Sequence, residues 1–303
     1  RRRMDTAFYY FETVVELGSI RKAAEKLHIS ASSISRQIQK LEYLYGTTLL
    51  VRQAQGVRLT PAGELAARYV QSRAKELQRL RSSIDSLKNL DSGHVVIYTV
   101  EGMIGGLLPR ALATFGEQHP GITYEVCTAS TDEVMRAVAE DRCDIGISFQ
   151  PYPRPEVEML SSFRQPLMVV VSSAHPLAGR REIQMGDIGD LPVGLPDRSF
   201  GIRHLVDHAV KADLLTLNIR LETNSIDMMR QFALQNMGLI FLPAFSFERE
   251  LASGELVGIP IVSRALSLST TQICKRAEVE LTPSAGKLAA VIIETAEAFS
   301  RVA

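Results

Sequence analysis

Apolar residues fall at helical spacing twice in quick succession near the N-terminus. Ile20, Ala23, Ala24 and Leu27 mark one stripe, opened by Gly18-Ser19, and Ile34, Ile38 and Leu41 mark a second, opened by Ser30. Only His28-Ile29 interrupts them, and the small Ala23 and Ala24 permit a close crossing. Two short helices joined by a tight turn predict a helix-turn-helix. Next, Leu49-Leu50-Val51-Arg52 and Val57-Arg58-Leu59 read as two short strands joined by Gln53-Ala54-Gln55-Gly56, which is the shape of a wing. Thr60-Pro61 is a capped helix start with proline at the first helical position.

The helix opened at Pro61 is expected to run to about Leu90, where Asp91-Ser92-Gly93 ends it. Val70, Leu77 and Ile84 repeat at a seven-residue interval, as do Leu80 and Leu87, with Arg73 interrupting the second series. Such a seam predicts a short coiled coil between two chains. The competing reading is one amphipathic helix lying on its own domain.

Beyond this helix the texture changes to alternating strands and helices. Strands are expected at 94–100, 122–127 and 143–149, with helices at 105–119 and 132–141 between them. A second set has strands at 167–171, 219–222 and 239–242 and helices at 202–212 and 226–236. A strand near 266–274 and a helix over 284–302 close the chain. Strand, helix, strand at these lengths is the βαβ unit of a parallel sheet.

Composition refines the picture at three points. The formal net charge of zero conceals a division: sixteen basic against nine acidic residues up to Ser92, leaving eighteen against twenty-five beyond it. A basic head on an acidic body directs the head at nucleic acid, unless the division is an accident of surface composition. Cys127, Cys143 and Cys274 lie far apart with no C-x-x-C, as expected for reduced cytosolic thiols. No run approaches the ~18 apolar residues of a membrane span, and no apolar signal region opens the chain. A cytoplasmic protein without membrane contact is expected. Arg1-Arg2-Arg3 is either a foreign extension or a native one, in the latter case a candidate minor-groove arm.

Candidate chemistry begins on the second helix, whose outward face carries Ala31, Ser32, Ser33, Ser35, Arg36 and Lys40. Small polar residues at its N-terminal end can approach base edges, while Arg36 and Lys40 can reach base acceptors or phosphates. Arg52 and Arg58 of the wing are placed to touch phosphate. The bland alternative is a helical hairpin with a solvated polar face.

From Met4 to about Gly63 the chain closely resembles the winged helix-turn-helix of LysR-type transcriptional regulators. The carriers are Phe11 to Ser19, Ala23 to Ser30, Ile34-Ser35-Arg36-Gln37-Ile38, Tyr45 to Leu50, and Gly56 to Gly63. Where that family often has Gln-Pro or Gln-Ser, this chain has Ala31-Ser32, which loses a bidentate adenine contact but keeps a methyl for thymine. The body resembles the same family's effector domain through Asp132-Glu133, Cys143-Asp144-Ile145-Gly146-Ile147, His175-Pro176-Leu177-Ala178, Gly238 to Pro243 and Glu248 to Leu256.

The resemblance implies an α/β fold class. An N-terminal winged helix-turn-helix (4–62) and a long linker helix (63–92) would precede a periplasmic-binding-protein-like effector domain (93–303). That domain would have two α/β subdomains, about 93–163 with 267–303 and about 164–266, joined by two crossing strands. It further implies linker-paired subunits, a homotetramer built as a dimer of dimers, double-stranded promoter DNA, a small-molecule effector and RNA polymerase as partners. No cofactor is implied.

In such folds ligands lie at the carboxyl ends of strands, where the subdomains face each other. The candidate effector-binding residues are therefore Thr99, Val100, Glu101, Gly102, Thr128, Ser130, Thr131, Phe149, Phe200, Asn224 and Ser225. The short polar side chains at helix starts, Thr128, Ser130, Thr131, Asn224 and Ser225, suit a small polar ligand aided by free helix N–H donors. Each also reads as a plain N-cap. Val100-Glu101-Gly102-Met103 departs from the Ser or Thr pair many members have here. Glu101 is expected near a helix N-terminus, where it would occupy the donors a ligand uses and favour an amine or aromatic effector over a bare dicarboxylate.

Catalysis is the weaker reading. There is no G-x-S-x-G, H-E-x-x-H or G-x-x-x-x-G-K-[ST], and His204 and His208, four apart, lack a third ligand and read as surface polar residues. A cytoplasmic small-molecule-binding or enzymatic α/β protein with an accessory DNA-binding head is the alternative. A secreted solute-binding protein would account for the body but not the basic head.

Overall fold

The computed structural model describes residues 2–53, 56–87 and 92–300. The chain divides into two compact units, Arg1–Leu80 and Arg81–Ala303. Arg1, the wing-loop residues Ala54 and Gln55, and the expected helix end at Asn89 to Asp91 lie outside the described residues.

In the first unit α1 (Arg2–Leu17), α2 (Ile20–Leu27) and α3 (Ala31–Tyr45) precede β1 (Leu50–Gln53), β2 (Gly56–Leu59) and α4 (Pro61–Leu87), which runs on past the boundary at Leu80. Ser19 and Ser30 cap α2 and α3: each side chain accepts the N–H three residues on, from Lys22 at 3.4 Å and Ser33 at 3.2 Å. His28 and Gly46 end these helices in the left-handed conformation, and their N–H groups return to carbonyls of the last turn. Val14, Ala23, Ala24, Ile34 and Ile38 form one apolar cluster under the helix-turn-helix, as the stripes required.

The wing strands begin one residue away from their expected positions. The Leu49 N–H turns away to Glu42 Oε1 at 2.8 Å, although its carbonyl still accepts from Thr60 N at 3.0 Å in line with the ladder. Gly56 explains the wing's seat on the body. Its φ is +140°, a β carbon there would stand 2.2 Å from the Gly18 carbonyl oxygen, and the next N–H, of Val57, donates to that oxygen at 3.0 Å.

The heptad stripe of α4 splits in two. Val70 packs into its own unit with Ala7, Phe8, Phe11, Leu41 and Leu49, so at this position the helix lies on its own domain. Leu77 (51% exposed), Leu80 (55%) and Ile84 (41%) remain open.

The second unit holds two five-stranded sheets. In chain order, β3 (Gly93–Thr99), α5 (Leu107–Gln118), β4 (Ile122–Thr128), α6 (Thr131–Ala139), β5 (Ile145–Phe149) and β6 (Val157–Arg164) build most of the first. Then β7 (Leu167–Ser172), β8 (Pro192–Pro196), α7 (Gly201–Ala212), β9 (Asn218–Thr223), α8 (Ile226–Leu234), β10 (Leu239–Pro243), α9 (Glu248–Ser253) and β11 (Leu256–Pro260) build the second. After the short α10 (Arg264–Ser267), β12 (Thr270–Arg276) and α11 (Pro283–Ser300) return to the first. The orders are β4-β3-β5-β12-β6 and β11-β7-β10-β8-β9. The cores are parallel, β3 with β4 and β5, and β8 with β9 and β10, while the strands entered by crossing run antiparallel.

Three strands carry too little pattern to be expected from sequence. β6 is a half-exposed edge, β8 is five residues that begin and end in proline with a glycine at the centre, and β11 is an edge that ends in proline. Leu266 is buried but belongs to the turn of α10, so the strand expected from 266 begins only at Thr270.

Gly56→Ala forces a β carbon onto the Gly18 carbonyl in a backbone region alanine avoids. The expected cost is about 1–3 kcal/mol of stability, read as a lower thermal midpoint of the first transition. A wild-type midpoint would show that the wing does not depend on this seat.

Candidate functional site

On the first unit, Ile34, Ile38 and Leu41 turn inward, which leaves Ala31, Ser32, Ser33, Arg36, Gln39 and Lys40 exposed along α3 and Ser35 half-buried. At the start of α3 the Ser30 hydroxyl meets those of Ser32 at 3.0 Å and Ser33 at 2.8 Å. The wing register pairs Val51 with Arg58 and Arg52 with Val57. Because side chains alternate across a strand, Arg52 and Arg58 project from opposite faces of the ribbon. Arg52 is the one beside α3: its Nη2 donates to Ser35 Oγ at 3.3 Å. Lys26 pairs with Glu16 and Arg21 reaches Glu25, whereas Arg36, Lys40, Arg52 and Arg58 pair with no carboxylate among the described residues. Gln39, three residues past Arg36 on the same face, was passed over because no charge marks it.

On the second unit, the strand ends of the two sheets meet and are stitched together by hydrogen bonds. The Thr131 hydroxyl donates to the Phe149 carbonyl at 3.0 Å and accepts the N–H of Gly201, the first residue of α7, also at 3.0 Å. Asp132 N donates to the Ser199 carbonyl at 3.1 Å. Glu101, in a 3₁₀ turn after β3, accepts from Ile226 N at 2.8 Å, Asp227 N at 2.9 Å and the Ser225 hydroxyl at 3.4 Å. Ser225 Oγ in turn accepts Met228 N at 3.2 Å. A β carbon on Gly201 would stand 1.9 Å from the Phe149 carbonyl oxygen, so only glycine allows this approach.

Two spaces flank these stitches. A cleft of about 310 Å³ is lined by Glu101, Thr128, Ser130, Phe200 and Asn224, together with Ala129, Glu133, Asp197 and Ser199. An inner apolar gap of about 20 Å³, room for one water, lies among Val100, Gly102, Thr131, Phe149, Phe200 and Phe245. Thr99 faces neither: it is fully buried and its hydroxyl donates to the Val100 carbonyl at 3.3 Å. The free N–H donors expected at Asn224-Ser225 are taken up by Glu101 and by the Ser225 cap itself.

Glu133 enters the sequence reading only through the Asp132-Glu133 pair, and Asp197 and Ser199 do not enter it. Glu133 is held by Arg142 at 2.6 Å and Arg136 at 3.0 Å, and Asp197 Oδ1 accepts from the N–H and hydroxyl of Ser199 at 2.9 and 2.6 Å. The Pro196-Asp197-Arg198-Ser199 run is turn chemistry before a helix, which was the available signal. Among the described residues no three His, Cys, Asp or Glu side chains could hold a metal. His204 Nε2 sits 2.8 Å from the Arg198 carbonyl, and its ring faces Tyr152 at 4.8 Å, while His208 is exposed. Burial pushes the Cys274 thiol up to about 12, against a smaller opposing hydrogen bond with Ser148, so it stays protonated.

Residues 6–64 match the family model described as "Bacterial regulatory helix-turn-helix protein, lysR family", and residues 88–297 match "LysR substrate binding domain". The chain belongs to the LysR family. This LysR-type protein is a DNA-binding transcriptional regulator with an effector-binding domain. It is 28% identical over 251 residues to a probable RuBisCO transcriptional regulator of Emiliania huxleyi, covering 81% of this chain and 80% of that protein. The transcriptional activator CmpR of Synechocystis is 24% identical over 255 residues, covering 84% and 83%. Among solved structures, full-length OxyR from Pseudomonas aeruginosa superposes with a TM-score of 0.69 at 20% identity, over 96% of this chain and 94% of that one. CbnR complexed with its target DNA gives 0.66 at 19%, over 96% and 99%. These likenesses extend over head, linker helix and both subdomains of the LysR fold.

Thr131→Val keeps the side-chain volume and removes the hydroxyl, leaving the Gly201 N–H and the Phe149 carbonyl without this partner in a buried place. Stability should fall by about 1–3 kcal/mol, with Thr131→Ser close to wild type, in urea unfolding of the full chain. Equal stability of Val and wild type would mean the stitch contributes nothing.

Proposed function

We propose that this LysR-type regulator is a cytoplasmic, non-enzymatic homotetramer, a dimer of dimers. It binds double-stranded promoter DNA and changes its grip when a small molecule enters the cleft of the second unit. The observation that carries this reading is the exposed face of α3 with Arg36 and Lys40, flanked by Arg52, whose charges no carboxylate neutralises among the described residues. On that reading Ala31, Ser32, Ser33 and Ser35 approach base edges, Arg36 and Lys40 reach bases or phosphate, and the wing arginines hold the backbone. Arg58, on the far face of the ribbon, reaches a different phosphate from Arg52. The effector meets Glu101, Thr128, Ser130, Phe200 and Asn224, which line the cleft. Thr99, Val100, Gly102, Thr131, Phe149 and Ser225 support that wall from within or behind it.

An effector shifts the protein only if it binds one arrangement of the subdomains better than another. The stitches at Thr131, Asp132 and Glu101 are the contacts such a rearrangement would remake, and the altered head spacing is what RNA polymerase would meet. A thermal-shift screen of metabolites on the full chain identifies the effector: at about a hundred times its dissociation constant it stabilises by roughly 2.7 kcal/mol.

Arg36→Ala should cost about 1–3 kcal/mol in specific binding if Arg36 reads a guanine. If it touches phosphate alone, specific and non-specific DNA weaken together and the salt slope falls by about one. A gel-shift titration at several salt concentrations separates the two, and unchanged binding to both DNAs removes α3 from the interface. For assembly, Leu77→Glu with Ile84→Glu places charges on the open part of the α4 stripe. Light scattering should then report a smaller particle, and a wild-type mass would show that this stripe is not the contact.

A further inference from the structure

We infer that Glu101 is a built-in carboxylate that determines effector specificity: it occupies the N-terminus of α8 from the opposite subdomain and so closes that position to small carboxylate ligands. This deepens the proposed effector reading of the cleft. A nine-residue helix such as α8 presents its first N–H groups and the positive end of its dipole to whatever acceptor stands before it. Here the acceptor comes from the chain itself. Oε2 of Glu101 takes Ile226 N, and Oε1 takes Asp227 N and the Ser225 hydroxyl, a bridge spanning 125 positions in sequence. The Ser225 hydroxyl takes Met228 N and its carbonyl takes Met229 N at 3.3 Å, so the first four N–H groups of α8 are all engaged.

The carboxylate is not free to swing aside without cost. The next residue, Gly102, presses against the second subdomain so closely that a β carbon there would stand 2.4 Å from Ser246 Oγ. The rest of the cleft adds no cationic side chain. Its lining contains three carboxylates, Glu101, Glu133 and Asp197, and no lysine or arginine. Arg136 and Arg142 are spent on Glu133 from outside the lining. Of the other two helix starts at this junction, α7 has its first N–H taken by Thr131, while at α6 the Asp132 N–H goes to the Ser199 carbonyl and Ser130 makes no side-chain cap. An incoming carboxylate would therefore meet the carboxylates of Glu101 and Asp197 and no open donor at α8. A ligand that meets α8 must do so through neutral or cationic groups.

The test is chemical rescue in the full-length protein, with sodium acetate as probe and sodium chloride at equal ionic strength as control. Glu101→Ala should lower the melting midpoint of the second unit by roughly 3–10 °C, the range for losing charge-assisted hydrogen bonds in a unit of this size. Acetate should restore most of that loss in Glu101→Ala, with saturation, and leave the wild type unmoved. Glu101→Gln fills the same volume without charge and should fold with an intermediate midpoint. If Glu101→Ala does not fold, refolding it in acetate and the Glu101→Gln midpoint decide. The inference is overturned if acetate raises wild type and variant alike, if acetate fails to rescue or refold Glu101→Ala, or if Glu101→Gln melts with the wild type. None of these measurements involves DNA or the natural effector, so such a failure leaves the effector reading of the cleft standing.

Discussion

The second unit is organised around a requirement of helix chemistry: N–H groups at a helix start need acceptors. Both α7 and α8 begin where the two sheets face each other, and both receive an acceptor from the far side, Thr131 for one and Glu101 for the other. Hydrogen-bond satisfaction thereby sets the angle between subdomains as well as the local helix starts. α7 is in turn fixed to its own sheet by Arg203, nearly buried, which binds Glu222 at 2.7 Å, Asp207 at 2.8 Å and the Pro196 carbonyl at 3.0 Å. A buried guanidinium needs this full set of partners, and breaking one would leave charge uncompensated. The cleft, the inner gap and the closeness of Gly201 to Phe149 follow from where these two helices are held.

Much of this was legible in the chain where a local rule decides. Ser19, Ser30 and Ser225 accept the helix N–H groups their positions predicted, and the apolar stripes of α2 and α3 turn inward together. The central strands β5 and β10 read clearly because burial on both faces makes them nearly continuously apolar, and β3 because its buried positions alternate along Val95, Ile97 and Thr99. Edge strands β6 and β11 did not, since one side faces water and the pattern dilutes. Val70 shows the limit of periodicity: a seven-residue repeat says that residues share a face, not which surface covers each of them.

Partners distant in sequence were the other blind spot. Thr131 was recognisable as a polar residue at a helix start, but the acceptor role of its hydroxyl involves a residue seventy positions away. The opposed faces of Arg52 and Arg58 depend on a strand register that composition cannot supply. Glu101 was legible for a different reason. A charge in a place where short hydroxyls were expected has to be neutralised or solvated, and a helix start nearby is a ready solution.

The two segments that pass between the sheets are themselves laced together. Gln165 N donates to the Ser269 carbonyl at 2.8 Å, and the Ser269 hydroxyl donates back to the Gln165 carbonyl at 2.6 Å, with both residues buried. A pair of strands joined in this way behaves as a flexure: it bends about one line and resists sliding or separation. The line through Gln165 and Ser269 is the natural axis for any relative rotation of the subdomains. The bridges of Glu101, Thr131 and Asp132 close a mechanical loop with that axis, so a braced frame becomes a single-axis joint only when all three release.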